Sequence, residues 1–126
     1  MLTQATVYPT VPAHDIGRAR EFYEQKLGLS PLRELAEGVL YQLSGGTLLY
    51  LYPSQWAGTA GHTVASFMVS DIHAVVSHLR ARGVRFENYD LPGLRTVDGI
   101  AELDGEYAAW FKDTEGNILA IGQFTS

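Results

Sequence analysis

The sequence predicts an α+β domain of two βαβββ modules whose strands form a curved mixed sheet around a central cavity. Two observations carry that prediction. The first is a repeat at a spacing of about 56 positions: Val11, Asp15-Ile16 and Lys26-Leu27-Gly28-Leu29 recur as Phe67, Asp71-Ile72 and Ala81-Arg82-Gly83-Val84. Each copy reads as a strand, an Asp that caps a helix, and a Gly that closes the helix before the next strand. The second is the placing of Gly, Asp and Pro, which cuts the rest of each half into short strands.

In the first module, Gln4 to Val11 is rich in Thr, Val and Tyr and reads as a strand. After the cap at Asp15, Ile16, Ala19, Phe22, Tyr23 and Leu27 fall on one helical face, and Gly28 stands where a left-handed terminating residue is needed. Strands are expected at Leu32 to Ala36, Val39 to Leu43 and Thr47 to Tyr52, separated by the turn pairs Glu37-Gly38 and Gly45-Gly46.

Ser54 to Gly61 reads as a linker. In the second module, His62 to Val69 is a strand, and Asp71 caps a helix carrying Ile72, Val75, Val76 and Leu79, ended by Gly83. Val84 to Tyr89 is the next expected strand. A loop opens at Pro92-Gly93 and closes at Asp98-Gly99, with Arg95 and Asp98 placed to act as a lid. Ile100 to Leu103 and Tyr107 to Lys112 flank the turn Asp104-Gly105, and Ile118 to Gln123 is the last strand.

With 126 residues and 46% hydrophobic content, the chain makes one domain: module 1 over about 1–53, linker over about 54–61, module 2 over about 62–126. A chain of this size buries roughly two-thirds of its unfolded surface. The absence of Cys excludes thiol catalysis, thiolate metal sites and disulfides. The net charge of −5 argues against nucleic-acid binding and favours neutral or cationic ligands. There is no signal-like N-terminal segment and no apolar run of membrane-spanning length, so no membrane partner and a cytoplasmic location are expected.

Three segments resemble the vicinal oxygen chelate superfamily of glyoxalases, extradiol dioxygenases and bleomycin-resistance proteins. They are Ala13-His14-Asp15-Ile16-Gly17-Arg18-Ala19-Arg20-Glu21-Phe22-Tyr23 with Leu27-Gly28-Leu29, then Val69-Ser70-Asp71-Ile72, and Trp110-Phe111-Lys112-Asp113-Thr114-Glu115-Gly116-Asn117-Ile118. The resemblance implies the glyoxalase/bleomycin-resistance fold for the whole chain. Through the pairing of modules seen in many members, it also implies a homodimer. Pro9 and Pro12 are placed to stiffen an exchanged arm. One scaffold hosts unrelated chemistries in this superfamily, so function is read from the site.

The metal-dependent members place His, Gln or Glu at four cavity-facing strand positions. Counting seven back from Asp15 and Asp71 gives Tyr8 and Val64; the late fourth-strand position is Tyr50, or Tyr52 in the alternative register; three past Asn117 is Ala120. None of these is a carboxylate, carboxamide or imidazole, so no metal and no cofactor are expected. Strand alternation instead lines the cavity with Tyr8, Tyr50, Tyr52, His62, Val64, Met68, Trp110 and Ala120, and sets Trp56 at its mouth. Apolar walls of this kind suit a small aromatic or cationic ligand. The expectation is a metal-independent, small-molecule-binding protein of the bleomycin-resistance type rather than an enzyme. The alternative is a glyoxalase-like lyase or isomerase in which His62 or Glu102 moves a proton. His14, His73 and His78 form no ligand cluster and read as surface residues.

Overall fold

In the computed structural model, which describes residues 1–125, each copy of the repeat opens a helix at its Asp. The Asp15 carboxylate accepts from the Arg18 amide at 3.0 Å, and Asp71 from the Ala74 amide at 3.2 Å. Helix α1 (Ile16–Glu21) runs on into a π-helical segment (Phe22–Lys26), and α2 spans Ile72–Ala81. Gly28 and Gly83 stop them at φ 77° and 93°, in the left-handed region that a side chain disfavours.

The π segment has a cause in the spacing. Gly28 follows its capping Asp15 by thirteen residues, whereas Gly83 follows Asp71 by twelve. The first helix absorbs its extra residue by bonding five residues back, Leu27 N–H to Phe22 O at 3.1 Å. The adjacent side chains Phe22 and Tyr23 are thereby both buried.

The first module supplies β1 (Thr10–Ala13), β2 (Ser30–Glu34), β3 (Val39–Gln42) and β4 (Leu48–Pro53), a four-stranded sheet in the order β1-β4-β3-β2. The second supplies β5 (Thr63–Met68), β6 (Asp90–Leu91), β7 (Leu94–Val97), β8 (Ile100–Leu103), β9 (Glu106–Lys112) and β10 (Ile118–Phe124), a six-stranded sheet in the order β5-β10-β9-β8-β7-β6. Both are mixed: β1 and β4 run parallel, as do β5 and β10, and the other pairs are antiparallel. The sheets share one core on their helix-facing sides, where Val11, Tyr41 and Leu51 meet Ala109, Phe111 and Leu119 with Phe22 and Val76 between them. Phe22 and Phe111, one from each module, stand 6.3 Å apart. No helix among the described residues is long and apolar enough to cross a membrane.

Two expected strands change. The first begins at Thr10 rather than Gln4: its ladder with β4 starts at the pair Thr10 and Tyr50, and Leu2–Gln4 is a short 3-10 turn. Tyr8 therefore lies outside the sheet ladder. Val84 to Tyr89 is no strand, and Phe86 makes only an isolated bridge to Phe111. Asn88 Oδ1 accepts from the Gly99 amide at 3.1 Å, and the Tyr89 amide donates to Thr96 Oγ1 at 2.8 Å, so side chains take the place of a ladder here. The expected lid loop is the β6–β7 hairpin with Asp90 opposite Arg95, and Asp98 at φ 52° with Gly99 makes the two-residue turn into β8.

Candidate functional site

The faces turned away from the helices carry most of the residues that alternation selects. On β4, Tyr50 and Tyr52 share the outer face with their rings 6.0 Å apart and nearly parallel, and Tyr8 meets Tyr50 edge-on at 6.3 Å. Gly38 positions Tyr50. A Cβ there would lie 2.9 Å from Tyr50 Cε1 and would also strike Leu51 O, so only glycine lets the ring lie over the β2–β3 turn.

On the second sheet, Ala120 sits between Ser66 and Trp110, and Gly122 between Met68 and Ala108. Met68 sulfur lies 2.9 Å from where a Gly122 Cβ would be, so the thioether rests directly on the sheet. Trp110 meets Tyr89 edge-on at 5.6 Å. Val64 is half-buried near the start of β5, His62 is exposed in the bend before it, and Trp56 stands 68% exposed on the linker.

Glu102, the alternative proton carrier, does not face the same side as these residues. It pairs with Tyr107, whose ring packs toward the core and lies 5.6 Å from His73 on α2. Cross-strand partners share a face, so Glu102 lies on the helix side, away from Trp110 and His62. His14, read as a surface residue, donates from Nε2 to Ala57 O at 3.0 Å.

Tyr8 and Tyr50 lie on the first sheet's side, Val64 and Ala120 on the second. Two phenols, an isopropyl and a methyl group offer no donor set for a divalent ion. Among the described residues no group of three or more His, Asp or Glu is placed to hold a metal.

β1 and β5 each form an edge of their sheet, and the junction between these edges differs at its two ends. At the linker end it is pinned by buried polar groups of the turn after β9. Asp113 accepts from Tyr23 OH at 2.6 Å, from Asn117 Nδ2 at 2.9 Å, and from the amides of Glu115 and Asn117 at 2.9 Å each. Asn117 also donates to Pro12 O on β1 at 2.7 Å and accepts from the Gly58 amide of the linker at 3.1 Å. Burial pushes the Tyr23 phenol well above its ordinary value, and the adjacent Asp113 carboxylate adds to the rise.

Glu115 completes the pin. It accepts from Arg18 Nε at 2.8 Å and Nη2 at 3.0 Å, from the Asp15 amide at 2.9 Å, and from Thr114 Oγ1 at 2.9 Å. Burial pushes its carboxyl up, but the hydrogen bonds from Arg18, Asp15 and Thr114 outweigh it and hold the value at about 2. No buried side-chain N or O among the described residues lacks a partner.

At the opposite end the edges stand apart around a cleft of about 540 Å³, bordered by Val7, Pro9 and Leu48 on one side and Ser66, Phe67 and Met68 on the other. Met68 is the one predicted binding residue that borders it. Leu48 and Ser66 share the strand phases of Tyr50 and Met68, whereas Val7, ahead of β1, and Phe67, on the helix-facing side of β5, carry no sequence signal of a binding role.

A family model described as the Glyoxalase/Bleomycin resistance protein/Dioxygenase superfamily matches residues 6–121. Among solved structures, a glyoxalase/bleomycin resistance protein from Catenulispora acidiphila is 27% identical with a TM-score of 0.66, covering 94% of this chain and 96% of that one. An antibiotic binding protein from a Streptomyces species is similar in fold at 22% identity and a TM-score of 0.67, covering 99% of each chain. A lactoylglutathione lyase from Agrobacterium tumefaciens is similar at 20% identity and a TM-score of 0.68, covering 95% and 93%. None of the curated proteins compared matches the chain significantly.

Proposed function

The chain belongs to the Glyoxalase/Bleomycin resistance protein/Dioxygenase superfamily, and within it we propose that this protein binds a small planar aromatic or cationic molecule without a metal ion. What carries this reading is the set Tyr8, Tyr50 (or Tyr52 in the alternative register), Val64 and Ala120, none with a metal-binding side chain, at the positions that the family resemblance assigns to the ligands of metal-dependent members. Tyr50 and Tyr52 instead present two near-parallel ring faces, and Trp110 stands beside the small side chain of Ala120. Ring faces attract planar and cationic groups, and the net charge of −5 adds a field of the matching sign. A structural neighbour described as an antibiotic binding protein supports the reading by analogy of fold.

Metal analysis of the purified protein together with a ligand screen followed by tryptophan fluorescence tests it. Binding unchanged by a chelator is the expected result, and Tyr50→Ala weakens it by about tenfold or more. A divalent ion present in stoichiometric amount, or binding abolished by the chelator, refutes it. The lyase or isomerase reading finds no support in the positions of His62 and Glu102, which lie exposed and on different faces.

We further propose a homodimer, from the family's module pairing and from the highly exposed Met1, Leu2 and Val7. Light scattering after size exclusion that shows only the 13.8 kDa species removes it.

A further inference from the structure

We propose that the open end of the β1–β5 junction is a second binding site, built for a neutral single-chain amphiphile: an alkyl chain with one uncharged hydrogen-bonding head. Two adjoining spaces give it this character. The wider, the cleft of about 540 Å³, has Ser44, Thr47 and Ser66 among its apolar side chains. The narrower, about 150 Å³, opens between α2 and the residues that follow the π-helical segment, and is bordered by Leu27, Leu29, Val75 and Leu79. Phe67 and Val69 border both, so the two spaces adjoin across these side chains.

The chemistry of the occupant follows from the walls. No charged side chain among the described residues borders either space. An ionic head would lose its hydration there without a partner, so the head is neutral. The hydroxyls border the wide space alone, which puts the head there and the alkyl tail past Phe67 and Val69 into the narrow one. Thr47 Oγ1 donates to Ser44 O at 2.8 Å and keeps its lone pairs for a ligand hydroxyl. A few polar groups on mostly apolar walls, in a space of several hundred Å³, is the usual make-up of a small-molecule site. Met68, about half exposed on the outer rim, is an adaptable wall. Tyr50, Tyr52 and Trp110 border neither space, and Met68 is the one residue shared with the outer-face set, so the proposal does not depend on the reading given for the aromatic rings.

Titration of the whole chain with hexanol, octanol, decanol and dodecanol, followed by backbone amide shifts and calorimetry, tests the proposal. Shifts at Leu29, Phe67, Val69 and Val75 are expected. Affinity should rise by up to about fourfold per methylene until the narrow space is full, then level off. Val75→Phe fills that space from the half-buried side of α2 and should remove the gain with chain length; Leu29→Phe does so from the opposite wall if the first variant does not fold. Tyr50→Ala should leave alcohol binding unchanged, which separates a failure here from a failure of the aromatic-face reading. A folded chain that gives no saturable shifts, or shifts confined to Tyr50, Tyr52 and Trp110, overturns the proposal. So does a dimer whose contact covers Phe67 and Val69 and excludes octanol.

Discussion

The two ends of the β1–β5 junction are built from opposite materials. At the linker end, Asp113, Glu115 and Asn117 are buried, charged or polar, and fully hydrogen-bonded across both modules. At the other end, Val7, Phe67 and Met68 leave a gap with apolar walls. Apolar contact is non-directional and would let two curved sheets slide over one another, whereas a network of short hydrogen bonds has one geometry. The polar end therefore fixes how the modules sit, and the apolar end is left free to accept a ligand.

The sharpest way to break this contrast is Asp113→Ala. It strands Tyr23 OH and the buried amides of Glu115 and Asn117 and should cost about 3 kcal/mol or more in urea unfolding. A loss below about 1 kcal/mol would mean that the turn does not hold the modules. Gly58→Ala attacks the same end from the linker. At φ +76° its Cβ would lie 2.5 Å from Glu115 O, and the expected loss is about 1–3 kcal/mol.

A pH titration should sharpen the comparison with a smaller effect. Glu115 titrates lower in the folded chain than in the unfolded one, so its protonation favours unfolding. Its stabilisation is complete above the ordinary value of 4.5 and is lost as the pH falls toward about 2. Glu115→Gln should flatten the fall in thermal midpoint across that window, and an unchanged slope would assign the acid sensitivity elsewhere. The smallest stability effect belongs to the outer face. Tyr50→Ala should change unfolding by about 1 kcal/mol while weakening aromatic ligands, because the ring is only partly buried and packs on the outer face rather than in the core.

Much of this architecture was legible in the chain. Asp15 and Asp71 cap helices because a short carboxylate before an apolar-periodic run has few better uses. Tyr50, Tyr52 and Trp110 came out on the outer faces because alternation has only two phases and the partner residues Leu51 and Phe111 are plainly core. Glu102 failed on that same test, since a four-residue strand does not reveal its own phase. The hairpin beside it does. The turn Asp104-Gly105 sets Leu103 opposite Glu106 and hence Glu102 opposite Tyr107, which shares the parity of Phe111. The pin and the cleft were beyond reach for a different reason. The turn Asp113–Asn117 was recognisable, but its partners Asp15 and Pro12 stand 100 and 105 residues away. How far two unpaired edges stand apart is a tertiary quantity that no local pattern encodes.

The extra residue in the first helix has a consequence for treating the halves as copies. Each residue advances an α-helix by about 100°, so past Tyr23 the two helices are out of phase by roughly that angle if aligned from their capping Asp residues. A chimera carrying the α2 segment in place of Ile16–Leu27 would set Ile72, Val75 and Leu79 at the places of Ile16, Ala19 and Tyr23, but would put His78 where Phe22 meets Phe111 and lose the phenol that Asp113 holds. The duplication is of topology only, and the modules have become left- and right-hand parts that no longer exchange.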